Sequence, residues 1–414
     1  PDEPRFRSQT MKAVLAAFCV VTVGGRPVRA ADPANDPRWP LVGFILNLAS
    51  LSNINGTSYL TDYAFTVGNE TGRVYSYQVG SEVNLNTNLL MASSSKMPSA
   101  LAILGAVKDG YVDLDEPVST YLHYWTKDPS DRRSRVTLRH LLSFTSGFYA
   151  NELGGSVNCM GRSSFEYADC VKRIYHNAPF AFEPGSTFDY NSFHLQVAGG
   201  VVIAATGLSM DEFLHKYLIN RLNLQQTSYF NKTNPMLAAG LNITGNDYEK
   251  ILYSYLTYDI IDKPLAAQFE TDYTDPKNGV EPSNSTSFLA DYIGHYGFAH
   301  WIECWNNGND TLTPACKAQH VHSDPGLFGY YPLVDRRYGY YMQIVLQKFV
   351  TSTTNFGPTQ SAAILRIVLK PLIDAIMTGR LFEPKMPFLP SVLLNGLGGI
   401  DIETLAVDAP SAML

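Results

Sequence analysis

The 414-residue sequence predicts an α+β fold in two lobes. Three observations carry that expectation. Period-two apolar patterns mark strands near both ends of the chain, at 63–79 and again at 329–347. Helical patterns fill most of the middle. The length also exceeds what one hydrophobic core usually organises. The two strand-rich ends are therefore expected to build one α/β lobe, residues 55–98 plus 289–380. An all-helical lobe, 99–288, is inserted between them, with a cleft at the junction. Hydrophobic content of 45% against 17% charged residues is ordinary for a globular protein. The net charge of −7 gives no basic footprint, which argues against a nucleic-acid partner.

Taken in order, residues 1–10 precede the first methionine and read as an upstream extension. Residues 11–30 read as a signal peptide: Met11-Lys12, an apolar run from Ala13 to Val23, then Val28-Arg29-Ala30 as a small-residue cleavage site. That run is too short to span a bilayer, so no stable membrane anchor is expected. Residues 31–54 read as a linker. Tyr63, Phe65 and Val67 alternate, Asn69 to Gly72 turns, and Val74 to Val79 alternates again. A helix carrying Met97, Leu101, Leu104 and Val107 follows, with a slight kink expected at Pro98. Val136 to Ser143 starts another helix, capped by Phe144-Thr-Ser-Gly147, and Leu195 to Thr206 is a small-residue helix. Ser209-Met-Asp-Glu212 is a capping box. Residues 223–288 are polar and only patchily helical. A hairpin over 329–347 leads to a helix from Gln360 to Thr378, interrupted at Pro371, and 381–414 is a loosely held tail.

Cysteine usage and sequons point to an exported, glycosylated protein. Loss of the signal removes Cys19 and leaves Cys159, Cys170, Cys304 and Cys316. The close pairs 159–170 and 304–316 are the natural bridges, although four cysteines permit three connectivities. Asn-x-Ser/Thr sequons occur at Asn55, Asn69, Asn231, Asn242, Asn284 and Asn309.

The chemistry centres on Leu90-Met-Ala-Ser-Ser-Ser-Lys96. Ser93 and Lys96 are three residues apart, so at a helix start both project to one side. There the backbone N–H groups and the positive end of the helix dipole favour a developing oxyanion. An unprotonated lysine can take the hydroxyl proton. Read without context, Ser93 is simply a helix N-cap.

Context is supplied by Asp113-Leu-Asp-Glu-Pro117, Val136-Thr-Leu-Arg-His-Leu-Leu-Ser-Phe-Thr-Ser-Gly147 and Phe182-Glu-Pro-Gly-Ser-Thr-Phe-Asp-Tyr190. With Ala92-Ser-Ser-Ser-Lys96 and in this order, they make the sequence resemble the β-lactamase-related serine hydrolases. That family includes class C β-lactamases, D-Ala-D-Ala peptidases and esterase relatives. The resemblance spans about 55–225 and, more weakly, 290–380. It implies a β-lactamase/transpeptidase-like, penicillin-binding-protein fold: an antiparallel sheet flanked by helices, plus the all-helical lobe. It also implies Ser93 as nucleophile, Lys96 as its neighbouring base and Tyr190 as the tyrosine of a Tyr-x-Asn motif, with no cofactor. Lysine and tyrosine ordinarily titrate near pH 10, so work near neutrality asks for a shift of about three units, about 4 kcal/mol. Either could serve as the acylation base.

Two departures stand out. The Asn of Tyr-x-Asn is Ser192, whose hydroxyl can still bond a substrate or Lys96. The third motif, Lys-Thr-Gly or His-x-Gly in relatives, has its best match in His322-Ser-Asp-Pro-Gly326. His322 fits the first position, but Asp324 replaces a glycine and Pro325 has no N–H for an oxyanion. Losing such a donor costs about 10²–10³ in rate, unless a bulge lets Gly326 donate instead. Ser192, His322 and Gly326 are thus the expected substrate-binding set. His320-Val-His322-Ser-Asp324 also imitates the start of a dinuclear zinc motif, but Pro325 stands where its last histidine belongs, so no metal is expected. His300-Trp-Ile-Glu-Cys304 could bind metal on a helix, although a Cys304–Cys316 bridge is the simpler use. Tyr330, Tyr331, Tyr338, Tyr340 and Tyr341 read as strand packing, and His140 as a structural histidine. The expectation is a secreted serine hydrolase acting on an ester, amide or β-lactam in a small molecule or peptide through an acyl-enzyme on Ser93. The alternative is an impaired or dead member that acts as a binding protein.

Overall fold

The computed structural model describes residues 32–51, 58–150, 157–283, 294–303, 318, 320–349 and 357–381. The expected signal peptide, the 1–10 extension, Cys304, Cys316, Asn55, Asn284 and Asn309 lie outside them, as does the tail beyond 381. In chain order the elements begin with α1 (Trp39–Ser50), β1 (Tyr63–Asn69), β2 (Gly72–Val79), β3 (Asn88–Leu90) and α2 (Lys96–Lys108). Next come α3 (Leu138–Leu142), α4 (Tyr167–Asn177), β4 (Thr187–Phe188), α5 (Phe193–Thr206) and α6 (Met210–Leu214). They are followed by β5 (Thr227–Tyr229), β6 (Leu241–Thr244), α7 (Gly245–Leu256), α8 (Lys263–Phe269) and β7 (Glu281–Pro282). The last are β8 (Gly294–Tyr296), β9 (Trp301–Glu303), β10 (Val321–Ser323), β11 (Tyr331–Asp335), β12 (Tyr340–Val345) and α9 (Pro358–Met377).

The chain divides into two compact units. One comprises 1–85, 327–331 and 342–414; the other comprises 86–326 and 332–341. In the first, β1 lies between β2 and β12. The β1–β2 hairpin closes at Asn69↔Gly72, with an irregularity between Val67 and Gly68. Helix α1 packs against β2 and α9, burying Val42, Ile45, Leu46 and Ala49. Trp39 stacks on Tyr75 at 4.3 Å. This helix corrects the expected linker over 31–54. The prolines at 37 and 40 mask the apolar spacing of 42, 45, 46 and 49, yet Pro40 falls in the first turn, where proline costs nothing. Helix α9 also corrects the expectation of a break, because it runs through Pro371. Its residues are buried on nearly all sides, and that packing outweighs the hydrogen bond that proline removes.

In the second unit the antiparallel strands β11, β10, β9 and β8 follow one another. Helices α2 to α8 share this unit with two small sheets, β3-β6-β5 and β4-β7. Helix α7 is longer than the patchy pattern of 223–288 suggests; its polar face carries Asn246, Lys250 and Tyr253, and its other face is buried. Segment 301–303 is strand, not the helix that a metal-binding His300-Trp-Ile-Glu would need. The Ser209–Glu212 capping box forms, and His140 closes a second one with Thr137. Tyr330, Tyr331, Tyr340 and Tyr341 are buried, as strand packing requires. Cys159 and Cys170 form a disulfide, with Cα atoms 5.4 Å apart. Among the described sequons, Asn69 sits at the hairpin turn, its Oδ1 accepting from the Thr71 N–H at 2.9 Å. Asn231 donates its amide to the Gly161 carbonyl, and Asn242 sits in the central strand β6 between Leu90 and Ser228.

Candidate active site

All the residues below belong to the second unit. Between Met91 and Leu104, Ser93 alone is not buried. It lies in a single 3-10 turn, Ala92–Ser95, ahead of α2 rather than inside it. A 3-10 turn has about 3.0 residues per turn, so residues i and i+3 line up. Ser93 and Lys96 therefore face the same way for a different local reason than an α-helix would give. Ala92 adopts a left-handed backbone, φ 48°, a strain of about 1–2 kcal/mol that the surrounding bonds must hold.

Those bonds come mostly from β6 and the segment before it. The Met91 N–H donates to the Leu241 carbonyl at 2.9 Å. The Leu241 N–H donates to Ser95 Oγ at 3.0 Å, while that hydroxyl donates to the Ala92 carbonyl at 2.6 Å. Tyr248 donates its hydroxyl to the Ser94 carbonyl at 2.8 Å. One turn along α2, Ser99 donates to the Leu237 carbonyl at 2.8 Å, which leaves its oxygen to accept from the Tyr229 hydroxyl at 2.7 Å. Small residues at 92–95 leave room for this ring of backbone partners.

Lys96 Nζ lies 3.0 Å from Ser93 Oγ and donates to the Ala238 carbonyl at 2.8 Å. The side chain is only 3% exposed. Burial lowers its pKa to about 8, against an opposing pull from Asp324. An amine with that value is substantially unprotonated in mildly alkaline water, as a base must be.

Tyr190 follows β4 and precedes α5. The Asp189 carboxylate holds this loop, accepting from Asn191 Nδ2 at 2.5 Å and from the Ser283 hydroxyl at 2.7 Å. His194 adds a third tie. Its Nε2 donates to the Asp189 carbonyl at 2.9 Å, so Nδ1 accepts from the Ser146 hydroxyl at 2.9 Å. Burial lowers His194 to about 4, consistent with that neutral tautomer. The Tyr190 ring stacks on Trp301 at 5.3 Å, meets Tyr296 edge-on at 6.0 Å and lies 4.8 Å from Lys96 Nζ. Its hydroxyl is buried and, among the described residues, meets full hydrogen-bond geometry with none, although it lies beside the Ser93 side chain. Burial and Asp324 hold it well above the ordinary tyrosine range, although Ser93 is near enough to pull it partly back toward phenolate.

The three expected catalytic groups are thus together. The expected binding set is not. Ser192 flanks α5, and no bond links its hydroxyl to Lys96. His322 turns to a different cluster: its Nδ1 meets His300 Nε2 at 2.9 Å, its ring lies across Tyr255, and Nε2 is 3.9 Å from Glu270. His300 donates from Nδ1 to the Phe298 carbonyl, so its Nε2 accepts and His322 Nδ1 carries the proton. Gly326 does reach the turn that carries the nucleophile. A Cβ on it would stand 2.2 Å from the Met91 carbonyl oxygen and 2.9 Å from Ser94 Oγ. Glycine there permits a close backbone approach that no side chain allows.

Sequence reading missed the Ala238 carbonyl, the Trp301 and Tyr296 walls, and the position of Asp324. The last accepts from the Met97 N–H at 2.7 Å, at the first turn of α2. Trp301 left a signal inside the His300-Trp-Ile-Glu stretch read as a metal decoy, and Asp324 left one as the residue in place of the third motif's glycine.

Residues 55–247 match the family model for Beta-lactamase. The esterase EstB of Burkholderia gladioli is 35% identical over 140 residues, 31% of this chain and 35% of that protein. The match therefore spans about a third of that relative. The LovD6 mutant of simvastatin synthase from Aspergillus terreus superposes with a TM-score of 0.60 at 16% identity, covering 85% of this chain and 99% of that one. An octameric penicillin-binding protein homologue from Pyrococcus abyssi gives a TM-score of 0.58 at 17% identity, covering 79% and 75%. These likenesses establish a β-lactamase/transpeptidase fold. Residues 55–247 thus carry a likeness to the Beta-lactamase family model, and the fold of the chain agrees with it.

Proposed function

We propose that the chain is a serine hydrolase that cleaves uncharged esters through an acyl-enzyme on Ser93. The observation that carries this reading is the 3.0 Å contact between Lys96 Nζ and the accessible Ser93 hydroxyl. In the forward step the neutral Lys96 amine takes the Ser93 proton while Oγ bonds to the ester carbonyl carbon, whose π electrons move to oxygen. The tetrahedral adduct then expels the alcohol oxygen, which receives a proton by way of the Tyr190 hydroxyl. Because Tyr190 is held as a phenol, it serves as donor and relay, which leaves Lys96 as the base. Water repeats the sequence on the acyl-enzyme.

The ester preference rests on charge. His322 faces Glu270 and His300 and so offers no cation toward Ser93, while the buried Asp324 lies on the Lys96 side. A substrate carboxylate would find no partner in either. The likeness to the esterase EstB agrees with this choice. Export of the chain, the second part of this reading, is supported by the Cys159–Cys170 bridge, since disulfides persist in oxidising compartments.

The test is turnover of a chromogenic ester across pH 6 to 10 (~ four units about the ordinary histidine-to-lysine range). Below its pKa Lys96 holds a proton and cannot accept another, so the rate should rise with pH and level off above about 8. Ser93→Ala should reduce turnover to the uncatalysed blank. A wild type inactive at every pH would favour the binding-protein alternative.

A further inference from the structure

Asp324 follows β10 and is fully buried. Its Oδ2 accepts from the Met97 N–H, and its carboxyl group also engages the Lys96 N–H, at the positive end of α2. Among the described residues its Oδ1 has no hydrogen-bond partner. The titratable groups that face it are Lys96 from α2, Tyr190 from the β4–α5 loop, Tyr229 from β5 and Tyr296 from β8. The three phenols are kept neutral by burial. Among the described residues, that leaves Lys96 as the charged side chain acting on Asp324, and Asp324 as the one acting on Lys96. A carboxyl group and an amine are thus buried together, the carboxyl fixed in place by backbone N–H groups.

We propose that Asp324 is a positioning residue of the reaction, the fixed counter-charge that sets how readily Lys96 exchanges its proton and thereby the pH at which Ser93 becomes nucleophilic. The proposal rests on the serine-hydrolase reading above. When Lys96 takes the Ser93 proton, the Ser93 O–H bond breaks, an N–H bond forms, and a positive charge appears on a buried nitrogen. In a low-dielectric interior that charge is costly without a partner. The Asp324 carboxylate supplies one without touching substrate. Burial holds its own carboxyl well above the ordinary range, and Lys96 and the α2 amides pull against that, most strongly once Lys96 carries its proton. Where relatives have a small glycine, this chain therefore couples the segment after β10 to the base itself.

A neutral Asp324→Asn variant keeps a carbonyl oxygen to accept from Met97. It should lower two observables together. The Lys96 titration, followed by NMR on side-chain-labelled lysine in the full chain, should drop by about one unit or more, since an opposite charge no longer favours the ammonium. The rising limb of ester turnover should move down with it, while the plateau rate falls about tenfold because the weaker base accepts less readily. A purely structural cap would lower the melting temperature without moving the Lys96 titration. Asp324→Ser, whose hydroxyl can also accept from Met97, gives the same readout should the amide prevent folding. An unmoved Lys96 titration in a folded variant overturns the proposal. A shifted titration in a chain whose wild type turns over no ester at any pH overturns the hydrolase reading, and with it the catalytic role of Asp324.

Discussion

Lys96→Met should lower ester turnover by about 10³–10⁴-fold with little change in substrate affinity. Methionine matches the lysine stem in length, so the packing beneath Tyr190 is kept and only the amine is lost. Without it, nothing among the described residues within hydrogen-bond distance of Ser93 Oγ accepts a proton at neutral pH: the Tyr190 phenol is held above its ordinary range, and the Asp324 carboxyl group is committed to the start of α2. Two groups lose their partner in the variant, the Ala238 carbonyl and Asp324. The melting temperature should therefore fall by a few degrees at most, offset by the removal of a buried cation. Turnover near the wild-type level in a folded Lys96→Met protein would show that some other group is the base. Steady-state rates and a thermal melt on the same sample settle it.

Gly326→Ala should be nearly as damaging, through geometry rather than charge. The added Cβ would lie 2.2 Å from the Met91 carbonyl oxygen, a backbone atom that cannot rotate away. That carbonyl already accepts from the Ser94 N–H, and the Met91 N–H is bound to Leu241. Either the segment after β10 or the Ser93 turn must move by about 1 Å. Overpacking of this kind costs about 1–3 kcal/mol. A displacement of about 1 Å at a nucleophile costs about 10² in rate. The expected outcome is a rate reduced at least about a hundredfold together with a melting temperature several degrees lower. A wild-type rate would mean that Gly326 lies farther from the reaction than its contact with Met91 and Ser94 implies.

Parts of this arrangement were legible in the sequence and parts were not, for physical reasons. The β1–β2 and β11–β12 hairpins and the Ser93–Lys96 pair depend on residues close in the chain, where periodicity and spacing speak directly. Tyr190 was not legible from spacing, being one tyrosine among 25; only the resemblance picked it out. The Ala238 carbonyl that holds Lys96 lies 142 residues away, and the Asp324 carboxylate that caps α2 lies 227 residues from Met97. Contacts at that separation leave no local pattern. His322 shows the opposite error, a motif position that promised a binding group but whose partners, His300 and Glu270, come from other elements and draw the ring elsewhere. The linker expected over 31–54 failed because prolines were weighted above an apolar helical face; the first-turn position of Pro40 makes the two compatible.

The reading as a whole comes down to whether the Ser93 oxygen is nucleophilic. A fluorophosphonate probe followed by peptide mass mapping measures this without knowledge of the substrate. The account predicts one adduct, on Ser93, formed faster above pH 8 (about the Lys96 pKa) than at pH 6 (~ two units lower) and absent from Ser93→Ala. An adduct on Ser94, Ser95 or another serine, or no adduct at any pH, would contradict it.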